Sequence, residues 1–209
     1  MNLRNPPSLG RSLAIGCGGF TVVSLAGFSV WALAGRWFYT RVGEVGLYAA
    51  TALVFVGLAG LLLHPLLGGV HRLARFYALF VPAFLAYAVV WSSAWFALGL
   101  GLGEWLGSLA GSLTFALWIS WRLGSFAAAG RTGPLLFLTH SAGYFLGGIL
   151  MAWLTRPEAA EVSPALSKAQ IGTWAKMGWG LLYGMGFGTG LGAVFFFAQR
   201  KPAPAALPN

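Results

Sequence analysis

Apolar residues run along this chain in long unbroken stretches, and the polar residues fall almost wholly in the short gaps between them. Six stretches can be delimited, at 12–35, 45–70, 76–102, 105–121, 134–155 and 177–198. A helix needs about 20 apolar residues, rising about 1.5 Å each, to cross roughly 30 Å of hydrocarbon, so each can span a bilayer, the fourth only just. A spanning strand would instead alternate apolar and polar over about ten residues, and none of the stretches does so. The pattern predicts an all-α integral membrane protein, a six-transmembrane-helix bundle forming a single domain over 1–200. The tail at 201–209, with its three prolines, reads as disordered. The longest gap, 156–176, holds Pro157, Glu158, Glu161 and Pro164 and reads as a loop.

Composition points the same way. Hydrophobic residues make up 58% of the chain, charged ones 8%, and the mean hydropathy is +0.76, values far from those of an ordinary soluble domain. Basic residues then orient the spans, because cytoplasmic flanks are enriched in Lys and Arg. With the N-terminus inside, Arg4, Arg11, Arg72, Arg75, Arg122, Arg131, Arg200 and Lys201 lie on the cytoplasmic face, and Arg36, Arg41, Arg156, Lys168 and Lys176 on the other. The carboxylates Glu44, Glu104, Glu158 and Glu161 all fall outside, and both termini are cytoplasmic. The net charge of +9 is thus a topology signal, with membrane lipids as its partner and no nucleic acid implied. A bacterial-type inner (plasma) membrane is the expected location. The first stretch exceeds the apolar core of a signal peptide, about 7 to 15 residues, and reads as a retained span despite Ala32, Ala34 and Gly35. Cys17 is the only cysteine, so no disulfide can form within the chain.

Glycines supply a packing signal within the spans. Gly180, Gly184, Gly188 and Gly192 recur every four residues on the last one, with Gly186 and Gly190 on another flank. Gly143 and Gly147, and Gly107 and Gly111, offer matching thin surfaces on the fifth and fourth. Small residues let helix backbones approach closely in lipid, so this pattern predicts glycine-mediated helix packing, within the chain or between copies. Tryptophans Trp31, Trp37, Trp95, Trp105, Trp153, Trp174 and Trp179 gather toward the outer ends of their spans, as interfacial anchors do. Trp91 departs from that belt, lying near mid-span beside Ser92 and Ser93.

Ionisable groups inside a membrane ordinarily mark function, and here there are few. Aspartate is absent and no glutamate lies within a stretch, which argues against a carboxylate proton relay. His64 and His140 remain. His140 has Tyr144 one turn on, on the same face, and one histidine could ligate a haem or pigment, although nothing else in the sequence asks for a cofactor. His64, Pro65, Gly68 and His71 resemble a histidine motif of the HupE/UreJ nickel-permease family, with Val70 at the place of its aspartate. Thr139, His140, Gly143 and Gly147 resemble the histidine helix of rhomboid proteases, for which Ser112 would be the nucleophile. Each resemblance covers only a few residues. No phosphate-binding loop, cysteine metal cluster or carboxylate pair is present, and no enzyme activity or cofactor is expected.

Two functional readings follow. The first is a passive channel or uncoupled permease for a small solute, with a path along His140, Tyr144, Ser92, Ser93, Thr139 and Ser141. The second is a non-catalytic accessory or assembly subunit that packs against copies of itself or other membrane subunits.

Overall fold

The computed structural model describes residues 6–157 and 166–200, and these form helices joined by short turns, with no strand among them. The α-helices are α1 (Leu9–Arg41), α2 (Glu44–Leu63), α3 (Arg72–Leu98), α4 (Leu102–Arg122), α5 (Ala129–Leu154) and α6 (Lys168–Ala198). Short 3-10 turns occupy His64–Leu66 and Phe126–Ala128. All but α4 are long and apolar enough to cross a membrane. α4 has the length, 21 residues, but Glu104, Ser108, Ser112, Thr114 and Ser120 dilute its hydropathy. The chain is an α-helical integral membrane protein.

Several boundaries differ from the hydrophobic pattern, each for a local reason. α1 continues past Gly35 to Arg41, because nothing breaks it before Gly43. There the N–H groups of Val42 and Gly43 both donate to the Phe38 carbonyl, at 2.9 and 2.7 Å, and Gly43 adopts φ +86°, which reverses the chain in two residues. α2 stops at Leu63 rather than continuing to Val70, since Pro65 cannot donate to a helical ladder. α5 starts at Ala129, ahead of Pro134. The expected loop through Lys176 is shorter than the sequence indicated: Lys168 to Lys176 are the first turns of α6. Ser167 caps this helix, its hydroxyl accepting from Gln170 N–H at 3.3 Å while Gln170 Oε1 accepts from Ser167 N–H at 2.8 Å. The tail read as disordered, Arg4, and the loop glutamates Glu158 and Glu161 lie outside the described residues.

Successive helices run antiparallel, and their registers can be read from what faces each glycine. Gly16 lies on Gly188 and Gly192, Gly184 on Thr21, and Gly180 on Phe28, which pairs α1 with α6. Gly143 meets Leu182 and Gly186, and Gly147 meets Trp179, which pairs α5 with α6. Gly103, Gly107 and Gly111 follow Ala94, Trp91 and Tyr87 down α3, and Gly133 places α5 beside Leu113 of α4. The helices therefore close a ring in the order α2, α1, α6, α5, α4, α3, with α6 the most buried. In hydrocarbon no hydrophobic term draws helices together, so this near contact of backbones supplies the dispersion that does.

The ring is unevenly filled. Call the end with the Gly43 and Gly99 turns upper and the end with His64 and Gly124 lower. In the lower half Phe76, Phe80 and Phe84, on successive turns of α3, stack at 5.2 Å between centroids. Phe195 stacks on Phe76, and Phe115, Phe187 and Phe20 close in from α4, α6 and α1. Gln199 locks the lower end. Its amide takes Gly68 N–H at 3.0 Å and donates to the Leu66 carbonyl at 2.9 Å, tying the α2–α3 turn to the end of α6. The thinnest seam in the ring is between α2 and α3. They meet where Phe55 stacks on Phe84, at 6.0 Å, and where Tyr77 donates to the Gly57 carbonyl at 2.5 Å, and the seam parts above those contacts.

Candidate functional site

A cavity of about 670 Å³ fills the upper half, above the phenylalanine stack and behind the parted seam. Its size falls within the range of small-molecule sites, about 300 to 1,000 Å³. α1 contributes Phe28 and Trp31, α2 Tyr48 and Phe55, α3 Trp91 and Trp95, and α6 Trp179 and Tyr183. Phe55, Phe84, Tyr87 and Tyr183 form its floor near mid-helix.

The walls stand where they do because several rings have a glycine to lie on. A Cβ at Gly27 would overlap the Phe55 ring, one at Gly147 would overlap Trp179 and one at Gly180 would come within 2.8 Å of Phe28. Likewise Trp91 lies on Gly107, and Tyr87 on Gly111 with 2.7 Å to a would-be Cβ. Aromatic side chains are too wide for a helix interface unless the facing helix thins. Glycine thus serves both backbone contact and ring seating.

One acidic side chain lines the cavity. Glu104 sits in the first turn of α4, where its Oε2 accepts from Gly101 N–H at 3.1 Å; Gly101 itself, at φ +78°, makes the turn that brings α4 back beside α3. Its Oε1 accepts from Tyr144 Oη at 2.9 Å. Beneath Tyr144 the His140 ring stacks at 6.0 Å between centroids, fully buried, and its Nε2 shares a proton with Tyr87 Oη across 2.8 Å. Nδ1 of His140 has no partner. A polar column thus descends from Glu104 through Tyr144 and His140 to Tyr87, with Phe187 packed against both His140 and Tyr87.

The residues expected along a solute path separate. Tyr144 and Ser92 line the cavity, and His140 lies just behind it, reached through Tyr87. Ser93 is exposed on the far side of α3. Thr139 donates to the Leu135 carbonyl of its own helix at 3.0 Å and lies against Gly190. Ser141 is buried, its hydroxyl without a partner. Ser112 Oγ also has no partner, so the serine–histidine pair of a rhomboid protease is not formed. His64 spends Nδ1 on its own helix's carbonyls, of Gly60 and Leu61, and no group of three or more metal-binding side chains occurs among the described residues.

Sequence reasoning missed the cavity walls. Trp31, Trp95 and Trp179 read as interfacial anchors because they lie near span ends, and position along a span says nothing of which side a ring faces. Trp37, Trp105, Trp153 and Trp174 do face outward, each at least half exposed. Glu104 read as an outer charge. The available signal was spacing: Trp91 and Trp95 four apart on α3, opposite Gly107 and Gly103 on α4. No family model, curated protein or solved structure matches this chain. Fold and site together define a helical membrane protein with an aromatic cavity closed at mid-depth.

Proposed function

We propose that the chain crosses the membrane six times, α4 included, with its lower end cytoplasmic, and acts as an uncoupled permease for a small organic solute held in the aromatic cavity. The observation that carries this reading is the cavity itself, sized for a ligand, walled by rings and closed below at mid-depth. A passive pore would stay open from face to face, whereas the floor of Phe55, Phe84, Tyr87 and Tyr183 blocks the way. Release on the other side therefore requires those rings to part. α2 is the element suited to move, because it is gripped along α1 but touches α3 at few points.

The test is binding and uptake of a neutral aromatic probe, 2-naphthol, by the full chain. Saturable quenching of tryptophan fluorescence is expected in nanodiscs, with loss of both quenching and facilitated uptake in Ala88→Trp, which fills the cavity from α3. Ala88 lines the cavity and is only partly buried, so the larger ring has the cavity to extend into and this variant should still fold. Quenching that is linear in probe concentration, or unaltered in the filled variant, would sink the proposal.

A further inference from the structure

The cavity's chemistry is lopsided. Its lining includes no Lys, Arg or His, and its single charged side chain is Glu104. Three of its tyrosine hydroxyls are committed: Tyr144 donates to Glu104, Tyr48 donates to Glu44 at 3.0 Å, and Tyr87 is paired with His140. Two of the indoles are turned away as well. Trp179 turns its N–H edge onto Gly147 of α5, and Trp91 lays the same five-membered edge on Gly107 of α4. An anion would thus find no cationic side chain in the lining and would face the Glu104 carboxylate.

A cation would find the opposite. Indole faces carry the negative side of the ring quadrupole and attract an ammonium within about 6 Å of the centroid. Trp91 and Trp95 stand nearly parallel, 9° apart, along the α3 wall. The rim already holds one such contact, with Lys176 Nζ 4.6 Å from the Trp31 centroid. That lysine occupies Trp31, on α1, so a ligand's charge belongs on the other side of the cavity, by Trp95, Tyr144 and Glu104. Both Glu104 oxygens are oriented by the bonds to Gly101 and Tyr144, which fixes the carboxylate before any ligand arrives.

From this juxtaposition of one oriented carboxylate with indole faces, in a lining without a cationic side chain, we propose that the ligand is a lipophilic organic cation. The proposal rests on the cavity being a binding site, as argued above. Its charge lies between Glu104 and the Trp95 face, and its apolar groups fill the space toward Phe55 and Phe84.

Tetraphenylphosphonium and tetraphenylborate, alike in shape and opposite in sign, test it by equilibrium dialysis against the full chain in nanodiscs, corrected with protein-free discs. 2-Naphthol serves as the neutral control. Saturable binding of the phosphonium but not the borate is expected, weakened tenfold or more in Glu104→Gln and by much more than that of 2-naphthol. Glutamine keeps an oxygen for Tyr144 or Gly101, so the variant should fold. Equal binding of the two ions, or a phosphonium affinity unmoved by Glu104→Gln, overturns the cation assignment and leaves the cavity reading standing. Failure of all three probes to bind a folded chain overturns both.

Discussion

At the scale of single residues, the His140–Tyr87 pair shows how polarity is tolerated in this interior. A buried donor or acceptor without a partner costs about 1 to 3 kcal/mol, whereas replacing both partners by apolar groups of similar shape can be nearly neutral. His140→Leu strands the Tyr87 hydroxyl, and Tyr87→Phe strands His140 Nε2. Each single variant should lower the midpoint of unfolding in detergent, and the double variant should fall by clearly less than the two losses together. A coupling of roughly 0.5 to 3 kcal/mol is the range for residues in contact. Strict additivity would mean that the 2.8 Å contact contributes nothing. His140 could be singled out in the sequence because ionisable groups in apolar stretches are rare. Its partner could not, since Tyr87 is 53 positions away and brought near only by the α3–α4 and α4–α5 pairings.

Among the elements, α6 carries the assembly, and its glycines are not equivalent. At Gly184 a Cβ would come within 2.7 Å of the Thr21 backbone and 2.8 Å of Ser24 Cβ, while at Gly172 it would meet nothing within 4 Å. Neither Thr21 nor Ser24 can withdraw, because Ser24 Oγ also donates to the Gly180 carbonyl at 2.6 Å across the same interface. Gly184→Leu should therefore cost about 1 to 3 kcal/mol or more by overpacking, seen as lost monodisperse yield or a lower melting temperature. Gly172→Ala should match or exceed the parent, since alanine favours helix by about 1 kcal/mol over glycine. Parental melting of Gly184→Leu would show that α1 and α6 are not held by this contact. The four-residue glycine repeat was legible from sequence alone. That a second set of glycines seats the cavity's rings was not, because a glycine opposite a tryptophan is visible only once the register between helices is known.

For the whole molecule, most of the fold was readable because a bilayer leaves few options: long apolar runs must become helices, and their number follows from counting. The exception was α4, whose serines and glutamate leave it short of the hydropathy of a spanning helix. The charge distribution gives the proposed orientation a direct test. A reporter fused after Lys201 should read cytoplasmic, and one inserted between Glu158 and Lys168 external. Two reporters on the same side would mean that α6, the one helix between them, does not cross. The reverse pattern would mean either that α4 does not cross or that the molecule is inverted, with the cavity turned toward the cytoplasm; a third reporter in the α3–α4 turn, external only in the first case, separates them.

The parted seam between α2 and α3 has a consequence for how this protein must be assayed. Under the proposed reading the seam faces acyl chains and a ligand enters through it, so the concentration that governs occupancy is the mole fraction of ligand in lipid. An affinity quoted per litre of water will drift with the amount of membrane in the tube, and two laboratories using different lipid-to-protein ratios will disagree by the partition coefficient. Expressed per lipid, their values should coincide. A ligand that partitions poorly will look weak however well the rings fit it.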